Sequence, residues 1–224
     1  MFEVGYLGNL DRDLYGFRNA NQPIPYGYIG NGSFTPLSSR LPFPNYGFLQ
    51  LVDDTGVGNY NALSFKATRR FSRGLSLIGS YTYSKAQDDT SGIRTQQSLL
   101  FPQNSLCVPC DYGLSDYDVR NRLTADVVYD LPVGRGRLWA PNNAFVNEVL
   151  GGWQVSTITT VQDGAPETIS DGFDNSSTAT GGYPVNRPNL VPGQSIYASS
   201  ERVHQWLNPA AFAVATPGTF GDER

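Results

Sequence analysis

Between Leu75 and Ser84 the chain alternates. Leu75, Leu77, Gly79, Tyr81 and Tyr83 fall on one parity, and Ser76, Ile78, Ser80, Thr82 and Ser84 on the other. A period of two marks a strand whose successive side chains point to opposite faces. The stretch therefore predicts a strand with one greasy face, ending in two tyrosines, and one face mostly of hydroxyls. The same test picks out three more segments. Leu63, Phe65, Ala67, Arg69 and Phe71 alternate with Ala62, Ser64, Lys66, Thr68 and Arg70. Leu123, Ala125, Val127, Tyr129 and Leu131 alternate with Arg122, Thr124, Asp126, Val128 and Asp130. Trp153, Val155, Thr157, Thr159 and Val161 alternate with Gln154, Ser156, Ile158, Thr160 and Gln162, a weaker pattern because threonine occupies both faces. Each of these runs about ten residues, the span of a tilted membrane strand. A shorter segment, with Phe2, Val4 and Tyr6 on one face, predicts a fifth strand already under way.

Alternation alone does not say which solvent meets each face. A soluble sandwich would bury the greasy face, and a membrane barrel would turn it to lipid. The connections carry more. Only Ser72, Arg73 and Gly74 separate Phe71 from Leu75, a tight hairpin. Residues 10–58, 86–118 and 164–224 are long, irregular and rich in polar residues, glycine and proline. Structureless connections of that length are uncommon in compact soluble domains. Outer-membrane barrels, by contrast, pair short periplasmic turns with long external loops. Residues 132–152 break the rule on the short side. Within them Phe145, Val149 and Leu150 sit at helical spacing before Gly151, which predicts a short amphipathic helix near the base of the barrel. The aromatic residues fit girdles at two interfaces, with Tyr81 and Tyr83 by a long loop and Phe71, Tyr129 and Trp153 by short connections. Core aromatics of a β-sandwich remain the rival reading.

Composition narrows this further. Charged residues make up 16% of the chain's 224 residues, below the roughly 25% of ordinary soluble domains. No apolar run approaches the length of a membrane helix, so any membrane reading must use strands. A net charge of −4 argues against a nucleic-acid partner, which needs a basic surface to displace counterions. The start, "MFEVGYLGNLDRD", has no basic region followed by an apolar one, so it does not read as a signal peptide; the chain is expected to begin inside a longer one. Cys107 and Cys110 in "CVPC" allow a redox pair, half a zinc site, free thiols or a small disulfide pinning an exposed loop. The zinc reading lacks ligands, because the chain has a single histidine, His204. The flanks read as loop, which favours the disulfide over a thioredoxin-like helix start.

Several longer blocks resemble a known family. "NYNALSFKATRRFSRGLSLIGSYTYSKAQDDTSG", "DYGLSDYDVRNRLTADVVYDLPVGRG", "LGGWQVSTITTVQDGAPETIS", "RPNLVPG" and "WLNPAAFAVATPGTFG" are similar, in this order, to the C-terminal part of Oar-like TonB-dependent outer-membrane transporters. The resemblance implies an all-β fold: an antiparallel transmembrane β-barrel segment of about five strands of a larger barrel, with long extracellular loops. It implies that residues 1–224 are a partial barrel domain, with the plug domain and the final strands lying outside the chain. It places the strands at Phe2–Tyr6, Tyr60–Phe71, Leu75–Lys85, Val119–Leu131 and Trp153–Asp163. Lipid-facing residues are then expected to be Leu63, Phe65, Leu75, Leu77, Tyr81, Tyr83, Leu123, Val127, Tyr129, Trp153 and Val155. Lumen-facing residues are Ser64, Lys66, Ser76, Ser80, Thr82, Thr124, Asp126, Gln154 and Ser156. The implied location is the cell outer membrane. The implied partners are the lipid bilayer, a transported solute of unknown identity and the TonB energy-coupling complex, reached through an N-terminal region that precedes this chain.

No catalytic constellation, cofactor motif or phosphate-cradling glycine loop appears, so the chain is not expected to be an enzyme. His204 in "ERVHQWLNP" has no partnered nucleophile. Asp88 and Asp89 stand side by side and suggest calcium, but a solvated turn is the plainer expectation. Two other functions stay in view: a secreted β-sandwich that binds carbohydrate through exposed Tyr and Trp, and a surface adhesion protein that uses the barrel as an anchor.

Overall fold

In the computed structural model, residues 1–25, 28–30, 33–72, 74–91, 101–134, 138–139, 144–178, 186–202 and 205–223 are described. Five long strands form one antiparallel sheet: β1 (Phe2–Asn19), β2 (Gln50–Ser72), β3 (Leu75–Asp88), β4 (Asn121–Asp130) and β5 (Gln154–Gln162). Their order in the sheet is their order in the chain, so every connection joins neighbours. A sixth, two-residue strand, Gly113–Leu114, pairs with the end of β3 at Gln87 and Asp88. A helix, α1 (Ala144–Leu150), lies in the connection from β4 to β5.

The hairpin from β2 to β3 turns at Gly74. Its φ of +79° is open to glycine and costly for a residue with a Cβ. The Gly74 carbonyl accepts a 2.7 Å bond from the Asp130 N–H. The predicted helix is present where Phe145, Val149 and Leu150 required it. Its last turn is closed by the Gly151 N–H on the Asn147 carbonyl at 2.9 Å, and Gly152, at φ +78°, turns the chain away.

Two strands differ from expectation. β1 runs to Asn19 rather than Tyr6, and β2 starts at Gln50 rather than Tyr60. The interval 10–58 is thus not one loop. Its extra strand residues, "NLDRDLYGFRN" and "QLVDDTGVG", carry charge or glycine on both parities. A strand with charge or glycine on both parities shows no alternation to detect. Asp13, at φ +57°, interrupts β1 with a residue type that tolerates the left-handed region. The other ends move less: β3 extends to Asp88, and β4 and β5 begin and end within two residues of the predicted limits.

The chain divides into two compact units. One comprises Met1–Asn9, Tyr60–Ala86 and Asp118–Ala165; the other comprises Leu10–Asn59, Gln87–Tyr117 and Pro166–Arg224. The first unit is a single sheet layer with its short connections. Leu63, Phe65, Leu123, Val155, Ile158 and Val161 are all exposed, and the one apolar side chain buried in this unit among the described residues is Ala62. A sandwich would cover one face with a second sheet about 10 Å away. Among the described residues of this unit no second sheet covers either face.

The second unit is held by polar groups. Among the described residues its buried side chains are mainly polar, with Asn19, Asn21, Gln22, Ser105, Ser115, Ser176, Asn186 and Arg187 buried beside Ala211, Ala215 and the prolines Pro23, Pro25 and Pro188. Two-stranded ribbons form from Asn189–Leu190 with Phe212–Ala213, and from Tyr197–Arg202 with Gln205–Leu207. Residues 164–224 are therefore structured in part, although sequence pattern shows only a polar stretch.

Candidate functional site

The site that the first unit offers is its two faces, and the register decides which residues share each. Between β3 and β4, Leu75 stands opposite Tyr129, Leu77 opposite Val127, Tyr81 opposite Leu123 and Tyr83 opposite Asn121. Between β4 and β5, Tyr129 stands opposite Val155, Val127 opposite Thr157 and Leu123 opposite Val161. Directly opposed residues lie on the same side of a sheet, so the odd-numbered positions of three strands share one face. β2 joins them, because the Phe65 ring stacks on Tyr81 with centroids 6.4 Å apart and planes 28° apart. In β1 the Tyr6 hydroxyl donates to Asn61 Oδ1 at 2.6 Å, which brings Tyr6 to the face of the β2 odd positions. Leu63, Phe65, Leu75, Leu77, Tyr81, Tyr83, Leu123, Val127, Tyr129 and Val155 are thereby on one face. Trp153 follows the same parity one residue before β5.

The even positions make the opposite face. Ser76 stands opposite Val128, and Val128 opposite Ser156; Ser80 opposite Thr124, and Thr124 opposite Thr160; Thr82 opposite Arg122, and Arg122 opposite Gln162. Ser64 and Lys66 share this parity on β2. Gln154 donates through Nε2 to Asp130 Oδ1 at 2.9 Å. Not every row is hydroxyl: Asp126 sits between Ile78 on β3 and Ile158 on β5, and Val128 between two serines.

A residue that pattern reading passed over organises one end of the apolar face. Asn121 accepts from the Tyr81 hydroxyl at 2.6 Å and donates through Nδ2 to Asp163 at 2.6 Å. Such polar partners satisfy the phenol oxygen where the greasy stripe ends. Beyond the regular ladder, Ser84 Oγ donates to the Val119 carbonyl at 2.7 Å, and Asp118 accepts the Ala86 N–H at 2.7 Å.

In the second unit the loop between β3 and β4 is tied to the segment after β5. Cys107 and Cys110 form a disulfide beside a 3₁₀ turn, Val108–Asp111. Asp111 at the end of that turn accepts the Gln103 N–H at 2.7 Å and forms an ion pair with the buried guanidinium of Arg187. Gln103 in turn accepts the Arg187 N–H at 2.7 Å and donates to the Gly221 carbonyl at 3.0 Å. Asn21 holds another loop: its Nδ2 reaches the carbonyls of Phe43, Tyr46 and Gly47, and its Oδ1 takes the Phe43 N–H at 2.8 Å. Phe101 packs edge-on to Phe48 at 4.9 Å and tilted to Phe17 at 6.1 Å.

The adjacent carboxylates do not form a solvated turn. Asp88 ends β3, and Asp89 is 8% exposed. Asp89 Oδ1 accepts the Val57 N–H at 2.8 Å, and its Oδ2 has no hydrogen-bond partner among the described residues. Burial raises the Asp89 pKa above its ordinary 3.8, opposed by the backbone bonds and assisted by Asp88 and Asp111. Asp116 is raised by burial, then by Asp88 and Glu167. Among the described residues no group of three or more His, Cys, Asp or Glu side chains is placed to hold a metal ion. His204 lies outside the described residues.

A single uncovered antiparallel wall, greasy on one face and hydroxylated on the other, with short connections at one end and long ones at the other, defines a membrane β-barrel wall. The model of the family described as Outer membrane beta barrel domain matches residues 1–224, and the chain belongs to that family. It is an outer-membrane β-barrel protein, located in the cell outer membrane. No curated protein and no solved structure matches the chain.

The buried Asp89 carboxyl has a defined pH signature. A carboxyl whose folded pKa lies above its unfolded value binds its proton more tightly when folded. Its favourable contribution is complete below the unfolded value and is lost as pH rises through the folded one. Asp89→Asn keeps the acceptor for the Val57 N–H and removes the buried charge. The variant is expected to be more stable than the wild type by about 1 kcal/mol at neutral pH, the order of cost of an imperfectly paired buried polar group. Thermal unfolding of both proteins in detergent between about pH 4 and about pH 8 should show the variant's advantage growing with pH. A constant difference would contradict the assignment.

Proposed function

We propose that the apolar face meets lipid, the polar face meets the barrel lumen, and the barrel serves TonB-dependent uptake of a scarce solute. The observation that carries the orientation is the register itself: it gathers the apolar residues of three strands onto one face, which β2 joins through Phe65 on Tyr81. Extended strands rise about 3.4 Å per residue, so Leu75 to Tyr83 covers roughly 20 Å along the membrane normal at a tilt of 35–45°, close to the ~25 Å apolar band of such barrels. Tyr83 then reaches one interface, and Tyr129, opposite Leu75, reaches the other. The lumen face of Ser, Thr, Gln, Lys66 and Asp126 suits a hydrated passage and names no substrate.

The transport part of the reading rests on the ordered sequence blocks that resemble Oar-like transporters. In that setting an N-terminal region engages the TonB energy-coupling complex, and the long loops capture the solute. The barrel family and the uncovered sheet replace the sandwich alternative. An adhesion protein anchored by a barrel is the competing role. The two separate genetically: loss of this protein and loss of TonB are expected to abolish uptake of the same nutrient, and a surface phenotype indifferent to TonB would favour adhesion.

The orientation has its own consequence. Arginine on the lipid face near the midplane costs about 2–4 kcal/mol, whereas lumen substitutions are milder. In the intact protein, Leu77→Arg is expected to cut barrel assembly sharply and Ser76→Arg to leave most of it. The same contrast is expected at Val127 against Asp126. Heat-modifiable gel mobility of outer-membrane fractions reads both, and equal damage at positions 76 and 77 would contradict the orientation.

A further inference from the structure

The connection from β4 to β5 is much longer than a hairpin requires, and its described residues are tied to one another by backbone and indole hydrogen bonds. The Leu131 N–H donates to the Trp153 carbonyl at 2.9 Å, adding one pair to the ladder after Asp130 opposite Gln154. The Trp139 N–H donates to the Pro132 carbonyl and the Gly134 N–H to the Trp139 carbonyl, both at 2.9 Å. Gly134, at φ +125°, lies directly against Gly151: a Cβ on Gly134 would stand 3.1 Å from the Gly151 Cα. The Trp153 indole N–H reaches back to the Val149 carbonyl at 2.7 Å, so the ring that closes the β5 ladder also fastens the end of α1.

This scaffold holds apolar side chains outward. Leu138 is 88% exposed, Trp139 70%, Phe145 76% and Trp153 59%, and Val149 is half exposed. Leaving such side chains in water forfeits the gain of burying them, and their display together on one connection marks an interaction surface. The kind of surface follows from what it adjoins. Trp153 and Leu131 continue the odd parity of β5 and β4, so the apolar face of the wall runs without a break through Trp153 into this connection. Tryptophan, with an apolar ring and one polar N–H, belongs at the boundary between hydrocarbon and water. The connection also carries two arginines and one glutamate in its sequence, a balance suited to phosphate headgroups.

We propose that the described residues of this connection, 132–134, 138–139 and 144–153, form a membrane-surface foot, whose Leu138, Trp139, Phe145, Val149 and Trp153 seat in the headgroup boundary of the leaflet at this end of the wall. Its occupant is phospholipid. The proposal rests on the lipid-facing reading of the odd face and is independent of transport. The foot widens the barrel's grip on one leaflet beyond what strand ends supply and fixes the depth of β4 and β5, which gives the long connection a physical reason to exist.

The test places single cysteines in the intact protein by Leu138→Cys and, separately, Phe145→Cys, with Leu77→Cys and Trp206→Cys as references. Each is labelled with bimane while Cys107 and Cys110 stay paired, and the protein is reconstituted in phosphatidylcholine vesicles. Replacing the lipid with phosphatidylcholine brominated near the carbonyl is expected to quench bimane at positions 138 and 145 by more than half, and phosphatidylcholine brominated deep in the acyl chain to quench it at position 77. Iodide in the buffer is expected to quench position 206 and to leave positions 138 and 145 nearly unchanged. Quenching at position 77 but not at 138 or 145 overturns the foot alone. Protection of 138 and 145 from both quenchers, as protein cover would give, also overturns it. No response to brominated lipid at any of the three overturns the foot and the lipid-facing reading together.

Discussion

The cross-strand register of β3, β4 and β5 is the constraint on which everything else depends. A strand has a period of two, so a slip of one residue would carry Leu77 and Val127 to the side of Ser80 and Thr124. The pairing of Leu77 with Val127 and of Tyr129 with Val155 keeps the apolar set together across the wall. Among the described residues no second layer covers that set, which is the basis of the lipid-facing proposal. Hydrogen bonding bears on it from another direction: in hydrocarbon every backbone group must find a partner, which long antiparallel ladders supply. The lipid-facing reading, the lumen chemistry and the foot all follow from this one alignment.

The second unit is stabilised differently. It buries amides and an ion pair where a soluble domain would bury leucines. Arg187 gains a carboxylate from Asp111 and, through its backbone, an amide from Gln103, while the disulfide holds the turn that presents Asp111. Truncating one partner of such a buried pair is costly because it strands the other charge. Asn21 works on the same principle, committing its side-chain amide to the 43–47 loop. A polar loop network of this kind gives long connections defined shapes with few large apolar side chains buried.

The wall was legible in the sequence wherever one face is apolar and the other polar. Residues 75–84 and 122–131 declared both strand and face by alternation alone. Residues 10–19 and 50–59 did not, because charge or glycine on both parities, as in "NLDRDLYGFRN", leaves no period to read. The helix at 144–150 could be read because Phe145, Val149 and Leu150 keep helical spacing and Gly151 marks its end. The burial of Asp89 could not, since "QDDTSG" looks like any turn until Val57 on a distant strand supplies its N–H. Asn121 was hidden for a similar reason: its two partners, Tyr81 and Asp163, lie some forty residues away in either direction. Long-range polar pairing leaves little local trace.

The central claim is that odd positions of the wall face lipid and even positions face the lumen. Nitroxide labels placed one at a time along 75–83 and 123–129 in the intact, membrane-reconstituted protein test it most directly. Power-saturation electron paramagnetic resonance then compares collision with oxygen, which concentrates in hydrocarbon, against collision with a water-soluble nickel chelate. The account predicts an alternation of period two, with oxygen favoured at 75, 77, 81, 123, 127 and 129 and nickel at 76, 80, 82, 124 and 126. Accessibilities without alternation, or with the opposite phase, would contradict it.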